Sequence, residues 1–430
     1  MPVEQILFGG NGRQDDLVFE AVRVVDSTEG IDETLTVTVE RGVITRLEPA
    51  SGGQGHVLAP AFIDPHVHLR TPGREDEEDL ASGTRAAAAG GYCAILAMPN
   101  TDPAVDSAAV LGALVERAKA EAEIPVGFFA AISKRQEGAE LTEMVELAER
   151  GAAGFTDDGR PVSSPGLLRR ALQYHAVAGR RIAVHCEEAA LSRGGQVHEG
   201  LVSAELGFAG YPSVAESVMV GRDLMLAAYE NQPIHLLHLS ARESVGELRS
   251  ARSAGVQASG EVTPHHLCLT DEAVRTLDPN VKMNPPLRAE EDRQALLEAL
   301  RDGTIEAIAT DHAPHARHEK DVPFEEAPFG VTGLETAFSV LHTRLVEPGI
   351  LSLAALIDRM SAGPARIYGL ERPRIAVGAP ANLVELDLEA AWRVDEASFR
   401  SRSPNSWLLG QTLRGRVVQT VANGKLAYSA

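Results

Sequence analysis

The sequence predicts an α/β protein: a (β/α)8 TIM-type barrel with a small β-sandwich formed by both chain ends. Three observations predict it. From about Pro60 to about Ile375, short apolar runs alternate with amphipathic helical patterns, as in a parallel sheet with crossover helices. Eight such runs can be counted, the number that closes a barrel. The flanking segments are strand-like and bounded by Gly, Pro or Asn.

The eight runs are VLAPAFIDPHVH, YCAILAMPN, PVGFFAAIS, GAAGFTDDG, RIAVHCEE, PIHLLHLS, VQASGEVTPHH and EAIATDHAPH. Helical patterns such as SAAVLGALVERAKAEAE, LTEMVELAERG, VMVGRDLMLAAYEN and EDRQALLEALRDG stand between them. Before the barrel come DLVFEAVRVVD, TLTVTVERG and VITRLEP; after it come ANLVELDL, RVVQTVANG and KLAYS. The expected division is a barrel over residues 59–375, with residues 1–58 and 376–430 as the two parts of the sandwich.

Nearly every barrel run ends in His, Asp or Asn, so chemistry is expected at the C-terminal edge, where barrel active sites lie. DPHVHLRTPG ends the first run; strand alternation aims His66, His68 and Arg70 to one side. Further imidazoles and carboxylates of the kinds zinc prefers end other strands: Asp157 or Asp158, His185, His238 and Asp311. In PIHLLHLS only one of two histidines three apart can enter the site, and His238 is nearer the edge. His235, His175 and His342 read as packed or surface residues; His198, His265 and His266 read as loop groups orienting others.

Two metals need a shared anionic ligand, which TDDG supplies at the end of strand four. Asp311 is the expected catalytic residue, taking a proton from the attacking water and delivering it to a leaving amide nitrogen. Amide or ester hydrolysis is the implied reaction class. Arg70, Asn100 and His315 are placed to hold a carboxylate, so a small anionic substrate is expected.

Composition narrows the partners. Acidic residues outnumber basic ones 61 to 40, a net charge of −21, so nucleic acid is a poor partner. No apolar segment is long enough to span a bilayer, and the first residues lack a signal-peptide pattern, so a cytoplasmic protein is expected. Cys93, Cys186 and Cys268 are too far apart for a thiolate zinc site; any metal must be held by His and carboxylate.

DPHVHLRTPG, AMPNTDP, GFTDDG, VHCEE, HLSARES, EVTPHH, KMNPPLR, ATDHAPH and APFGVTG together resemble the bacterial long-type dihydroorotases of the amidohydrolase superfamily. The resemblance runs through the whole barrel in order, and VERGVITRLEP and GAPANLVELD resemble that superfamily's flanking sandwich. It implies reversible ring closure of N-carbamoyl-L-aspartate to L-dihydroorotate in pyrimidine synthesis. It also implies two Zn2+ ions, one held by His66, His68 and Asp311 and the other by His185 and His238, bridged by Asp158 and a hydroxide. Arg70, Asn100 and His315 would hold the substrate carboxylate, with Asn284, Phe329 and Gly330 lining the ring. Many relatives bridge their metals with a carboxylated lysine; strand four here has none, which matches the long-type subgroup and implies weaker binding of one ion.

Three rival readings are weighed: a hydantoinase, an allantoinase, and a non-catalytic partner of aspartate carbamoyltransferase. A homodimer and a complex with that transferase are the candidate assemblies. HARHEKDVPFEEAPFG, residues 315–330, reads as a lid or an ordinary surface loop.

Overall fold

The computed structural model describes residues 5–53 and 55–430. Eight strands pair in chain order, each parallel to its neighbours: Phe62–Val67, Tyr92–Ala97, Pro125–Ala130, Ala152–Phe155, Arg181–Val184, Ile234–Leu236, Ala258–Val262 and Ala307–Ile308. The ring closes where Val67 bridges His312, with His68 N–H donating to the His312 carbonyl at 2.8 Å. The eight apolar runs are therefore the eight barrel strands.

These strands read as continuous apolar runs because they are covered on both faces, by interior side chains and by the helix ring. The helices carry their own start and stop signals. In Leu80–Ala89, Asp79 accepts from the Ser82 N–H at 2.7 Å while the Ser82 hydroxyl accepts from the Asp79 N–H at 3.2 Å. Pro165–Ala178 starts with Pro165 after the capping Ser164 and stops at Gly179, whose φ of 64° favours glycine.

Strands from the two chain ends meet in one seven-stranded sheet, in the order Lys425–Ser429, Thr412–Ala422, Leu383–Arg393, His56–Pro60, Leu17–Asp26, Ile31–Glu40, Val43–Pro49. His56–Pro60 joins the halves, antiparallel to Leu383–Arg393 and parallel to Leu17–Asp26. Val24, Val37, Val39, Ile44, Leu58 and Leu383 form an apolar cluster of their own there.

The first run, VLAPAFIDPHVH, serves both sheets. The chain leaves the small sheet after Pro60 and enters the barrel at Phe62, with the Ala61 N–H donating to the Asn382 carbonyl at 3.0 Å. Periodicity cannot show this crossing, because residues on both sides of it are buried.

Candidate metal centre and substrate cavity

Four imidazoles and two carboxylates from five strand ends converge at the C-terminal edge of the barrel. His66 and His68 share a face, as strand alternation requires. The Asp158 carboxylate lies between two histidine pairs. Its Oδ2 is 3.5 Å from both His66 Nε2 and His68 Nε2, and its Oδ1 is 3.5 Å from His238 Nε2 and 3.9 Å from His185 Nδ1. Asp311 Oδ1 closes the first group, 3.0 Å from His68 Nε2 and 3.4 Å from His66 Nε2. His185 Nδ1 and His238 Nε2 are 2.9 Å apart.

Asp157 points elsewhere: it accepts from the Ser133 N–H at 3.0 Å and from its hydroxyl. Of the TDDG pair, Asp158 is the one that faces the imidazoles.

These donors fit a metal. Metal–ligand bonds of about 2.0–2.2 Å in tetrahedral geometry put ligand atoms roughly 3.3–3.6 Å apart; the distances among His66, His68, Asp311 and Asp158 run from 3.0 to 3.5 Å. His66 Nε2 is buried without a hydrogen-bond partner, which suits a lone pair directed at a cation. Among the described residues, His66, His68 and Asp311 form one group able to hold an ion, and His66, Asp158 and His238 form another.

Charge agrees with geometry. Burial disfavours ionised Asp158 and Asp311, yet the surrounding histidines outweigh it and hold both carboxyls below the usual carboxylate range. Burial likewise opposes charge on His66, and Asp158 and Asp311 overcome it, raising that imidazole well above its ordinary value. The pocket attracts positive charge, a proton or a metal.

Outer contacts fix the clustered imidazoles. Glu261, fully buried, accepts from His66 Nδ1 at 2.7 Å, His235 Nε2 at 3.0 Å and the His238 N–H at 3.3 Å. With Nδ1 protonated, His66 presents Nε2 to the centre. Although burial pushes the Glu261 carboxyl up, its bonds to His235 and His66 hold it at about 2. His68 Nδ1 meets Asn100 Oδ1 at 2.9 Å, and His185 Nε2 meets Glu187 Oε2 at 2.9 Å. Asn100 thus orients His68 as well as lining the cavity.

Arg70, His238 and Asp311 all have left-handed backbone, with φ of 56°, 30° and 49°. Non-glycine residues adopt such angles at a cost of order 1–3 kcal/mol each, which the surrounding fold must offset.

Above the centre lies a cavity of about 370 Å³ lined by Arg70, Asn100, Asn284, His315, Phe329 and Gly330, together with every histidine and aspartate of the cluster except the deeper His66. Asn284 Nδ2 donates to Glu187 Oε2 at 3.1 Å, leaving its Oδ1 buried without a partner. His315 Nε2 donates to the Phe329 carbonyl at 2.7 Å. Gly330 has φ 120°, and a Cβ there would meet Ala313 Cβ at 2.7 Å and His315 Nε2 at 3.2 Å, so only glycine lets this backbone lie against His315.

The remaining histidines separate from the centre. His235 is buried between Ser259 and Glu261. His266 meets Thr263 Oγ1 at 2.8 Å and the Pro285 carbonyl at 3.0 Å, and His198 Nδ1 meets Arg288 Nη1 at 3.3 Å. His198, His265 and His266 have no hydrogen bond to the six clustered residues; His266 instead anchors the chain beside Asn284. Residues 315–330 are tied down by two lysines: Lys320 Nζ donates to the Pro328 and Pro279 carbonyls at 2.7 and 3.1 Å, and Lys282 Nζ to the Phe324 carbonyl at 2.8 Å.

Sequence reasoning missed Glu261, Glu187 and Glu77. Glu187 carried a signal, since alternation from His185 places it on the same face. Glu261 carried none, because nothing in SGEV marks a buried carboxylate. Glu77, in REDEEDL, has the look of a solvated acidic run, yet it is buried against Arg70.

A sequence model of the Dihydro-orotase-like family matches residues 55–244. A dihydroorotase of Geobacter metallireducens is 43% identical over 96% of this chain and 99% of its own length. The chain belongs to the dihydroorotase family. Another dihydroorotase, from Bacillus caldolyticus, is 45% identical over 87% of this chain and 88% of its own. Among solved structures, the L-hydantoinase of Arthrobacter aurescens superposes on this dihydroorotase-family chain with a TM-score of 0.85 at 25% identity, covering 96% of this chain and 95% of that one. A D-hydantoinase from Thermus sp. shares the fold, with a TM-score of 0.77 at 23% identity and 96% coverage of both chains.

Proposed function

We propose that this chain is a zinc-dependent dihydroorotase, interconverting N-carbamoyl-L-aspartate and L-dihydroorotate plus water in pyrimidine synthesis. The observation that carries the reading is the Asp158 carboxylate, one oxygen facing His66 and His68 and the other facing His185 and His238. That is the arrangement of a ligand shared by two cations. His66, His68 and Asp311 would hold one zinc, His185 and His238 the other, with Asp158 bridging. When bound, the ions lower the pKa of water and polarise the amide carbonyl.

In the hydrolytic direction, Asp311 accepts the proton that water loses as its oxygen bonds to the ring carbonyl carbon. The C–N bond breaks, and Asp311 returns that proton to the leaving nitrogen. The histidines around it keep Asp311 ionised, so it begins as the carboxylate, and its contacts with His66 and His68 hold it at the centre of the cluster. Arg70, Asn100 and His315 hold the substrate carboxylate, while Asn284, Phe329 and Gly330 enclose the ring.

Hydantoinases share the fold. Hydantoin itself carries no carboxylate, so a buried guanidinium facing the reacting ring favours the anionic substrate. With all six ligand positions filled, a purely structural role is disfavoured. The test is turnover by purified, metal-loaded protein: L-dihydroorotate is hydrolysed and hydantoin and allantoin are not. Turnover of either alternative alone overturns the assignment. A cytoplasmic location, a homodimer and a complex with aspartate carbamoyltransferase belong to the same proposal; co-elution with the transferase tests the last.

A further inference from the structure

Arg70 is largely buried, its side chain 14% exposed, and the Glu77 carboxylate stands beside its Nε. Glu77 Oε2 is 2.8 Å from Arg70 Nε, whose single N–H donates to the Pro314 carbonyl at 3.1 Å, so Glu77 faces this nitrogen as an ion-pair partner. The two Nη groups are left for the cavity, with Nη2 3.5 Å from His315 Nε2. The second oxygen of Glu77 reaches Arg74 Nη2 at 2.7 Å and stands 3.6 Å from His315 Nδ1. Arg74 in turn meets Glu319 at 2.8 Å, so one carboxylate connects Arg70 to the segment carrying His315. The Glu77 side chain is 3% exposed, and its main-chain carbonyl accepts from the Ser403 hydroxyl at 2.6 Å. Burial disfavours the Arg70 charge, which the Glu77 carboxylate supports.

From this geometry we infer that Glu77 is a positioning residue for the substrate anion, acting through Arg70 without touching substrate itself. A buried guanidinium needs a counter-charge in the empty enzyme. A counter-charge on the cavity side would compete with the incoming carboxylate. Glu77 supplies it from behind, at Nε, and leaves the Nη pair free for a two-pronged contact. This inference rests on the dihydroorotase reading, in which Arg70 holds the substrate carboxylate.

The test is steady-state kinetics of metal-loaded full-length protein on L-dihydroorotate. Glu77→Gln keeps the shape and removes the charge, and should raise KM about tenfold with kcat and metal content near parental values. Glu77→Asp, which keeps the charge, should recover most of that loss. In an Arg70→Ala background, Glu77→Gln should change KM less than twofold, because the group it positions is gone. An unchanged KM in Glu77→Gln, an equal KM rise with and without Arg70, or a fall in kcat with KM unchanged overturns the inference. If Glu77→Gln does not fold, Glu77→Asp decides it through the shorter reach of its carboxylate: a KM rise of about twofold that disappears in the Arg70→Ala background supports the inference, and a rise equal in the two backgrounds, or none in either, overturns it. Failure of the parent protein to turn over dihydroorotate would instead sink the functional reading, so the two failures are distinguishable.

Discussion

Replacing Glu261 by Gln tests whether the contacts behind the clustered imidazoles matter to the proposed metal centre as much as the imidazoles themselves. Two bonds arrive at Oε1, from His66 Nδ1 at 2.7 Å and the His238 N–H at 3.3 Å; one arrives at Oε2, from His235 Nε2 at 3.0 Å. With the glutamine carbonyl in the place of Oε1, the first two bonds survive. His235 can meet the new amide by shifting its proton to Nδ1, where the Ser259 hydroxyl at 2.8 Å accepts it. The fold then loses about 1 kcal/mol, the worth of one altered hydrogen bond. The metal loses more: without the buried negative charge, His66 is a weaker base, and such outer changes weaken metal binding about 10–100-fold, or about 1.4–2.7 kcal/mol. Glu261→Ala is less informative, because it leaves three buried donors unpaired. The assay is competition for zinc against a chromophoric chelator, with melting curves of the metal-free protein as the fold control. A zinc Kd within twofold of the parent, with the fold intact, would refute the reasoning.

Asp311→Ala should lower kcat on dihydroorotate by about 10³-fold or more while circular dichroism stays unchanged; near-parental turnover would remove the proposed proton carrier. Gly330→Ala should raise KM and lower Tm, since its methyl would press on Ala313 and His315 from a φ of 120°; parental values of both would show that this backbone yields freely. Lys320 gives a pH dependence. Burial, then the nearby Lys282 charge, lowers its folded pKa from 10.5 to about 7, so its contribution to stability is present above the unfolded value and lost as pH falls from about 10.5 to about 7. Lys320→Met should therefore compare best with the parent at pH 6 and lose that relative advantage as pH rises to 9. A difference in Tm that does not change with pH would count against a lysine held near neutrality.

What the sequence revealed depended on whether the deciding pattern was local. The barrel was legible because each parallel strand is buried on both faces, which leaves an apolar run, and each ends in a side chain that apolar packing does not explain. His66, His68, His185, His238 and Asp311 stood out for that reason. The choice between Asp157 and Asp158 was not local: alternation sends one of two adjacent carboxylates inward, and the hydroxyl of Ser133, from another strand end, is what engages Asp157. Residues 56–67 hid a change of sheet inside one apolar run for the related reason that burial looks alike in either sheet. Glu77 and Glu261 show the limit most plainly, because a carboxylate is buried only where cations or donors from distant segments surround it. For Glu261 these are His66, 195 positions away, and the backbone of His238. For Glu77 they are two nearby arginines whose positive charge matters only once the chain after Asp311 folds over them. Polar side chains at strand ends can thus be read one strand at a time, whereas the charges that hold them in place follow from the closure of the ring.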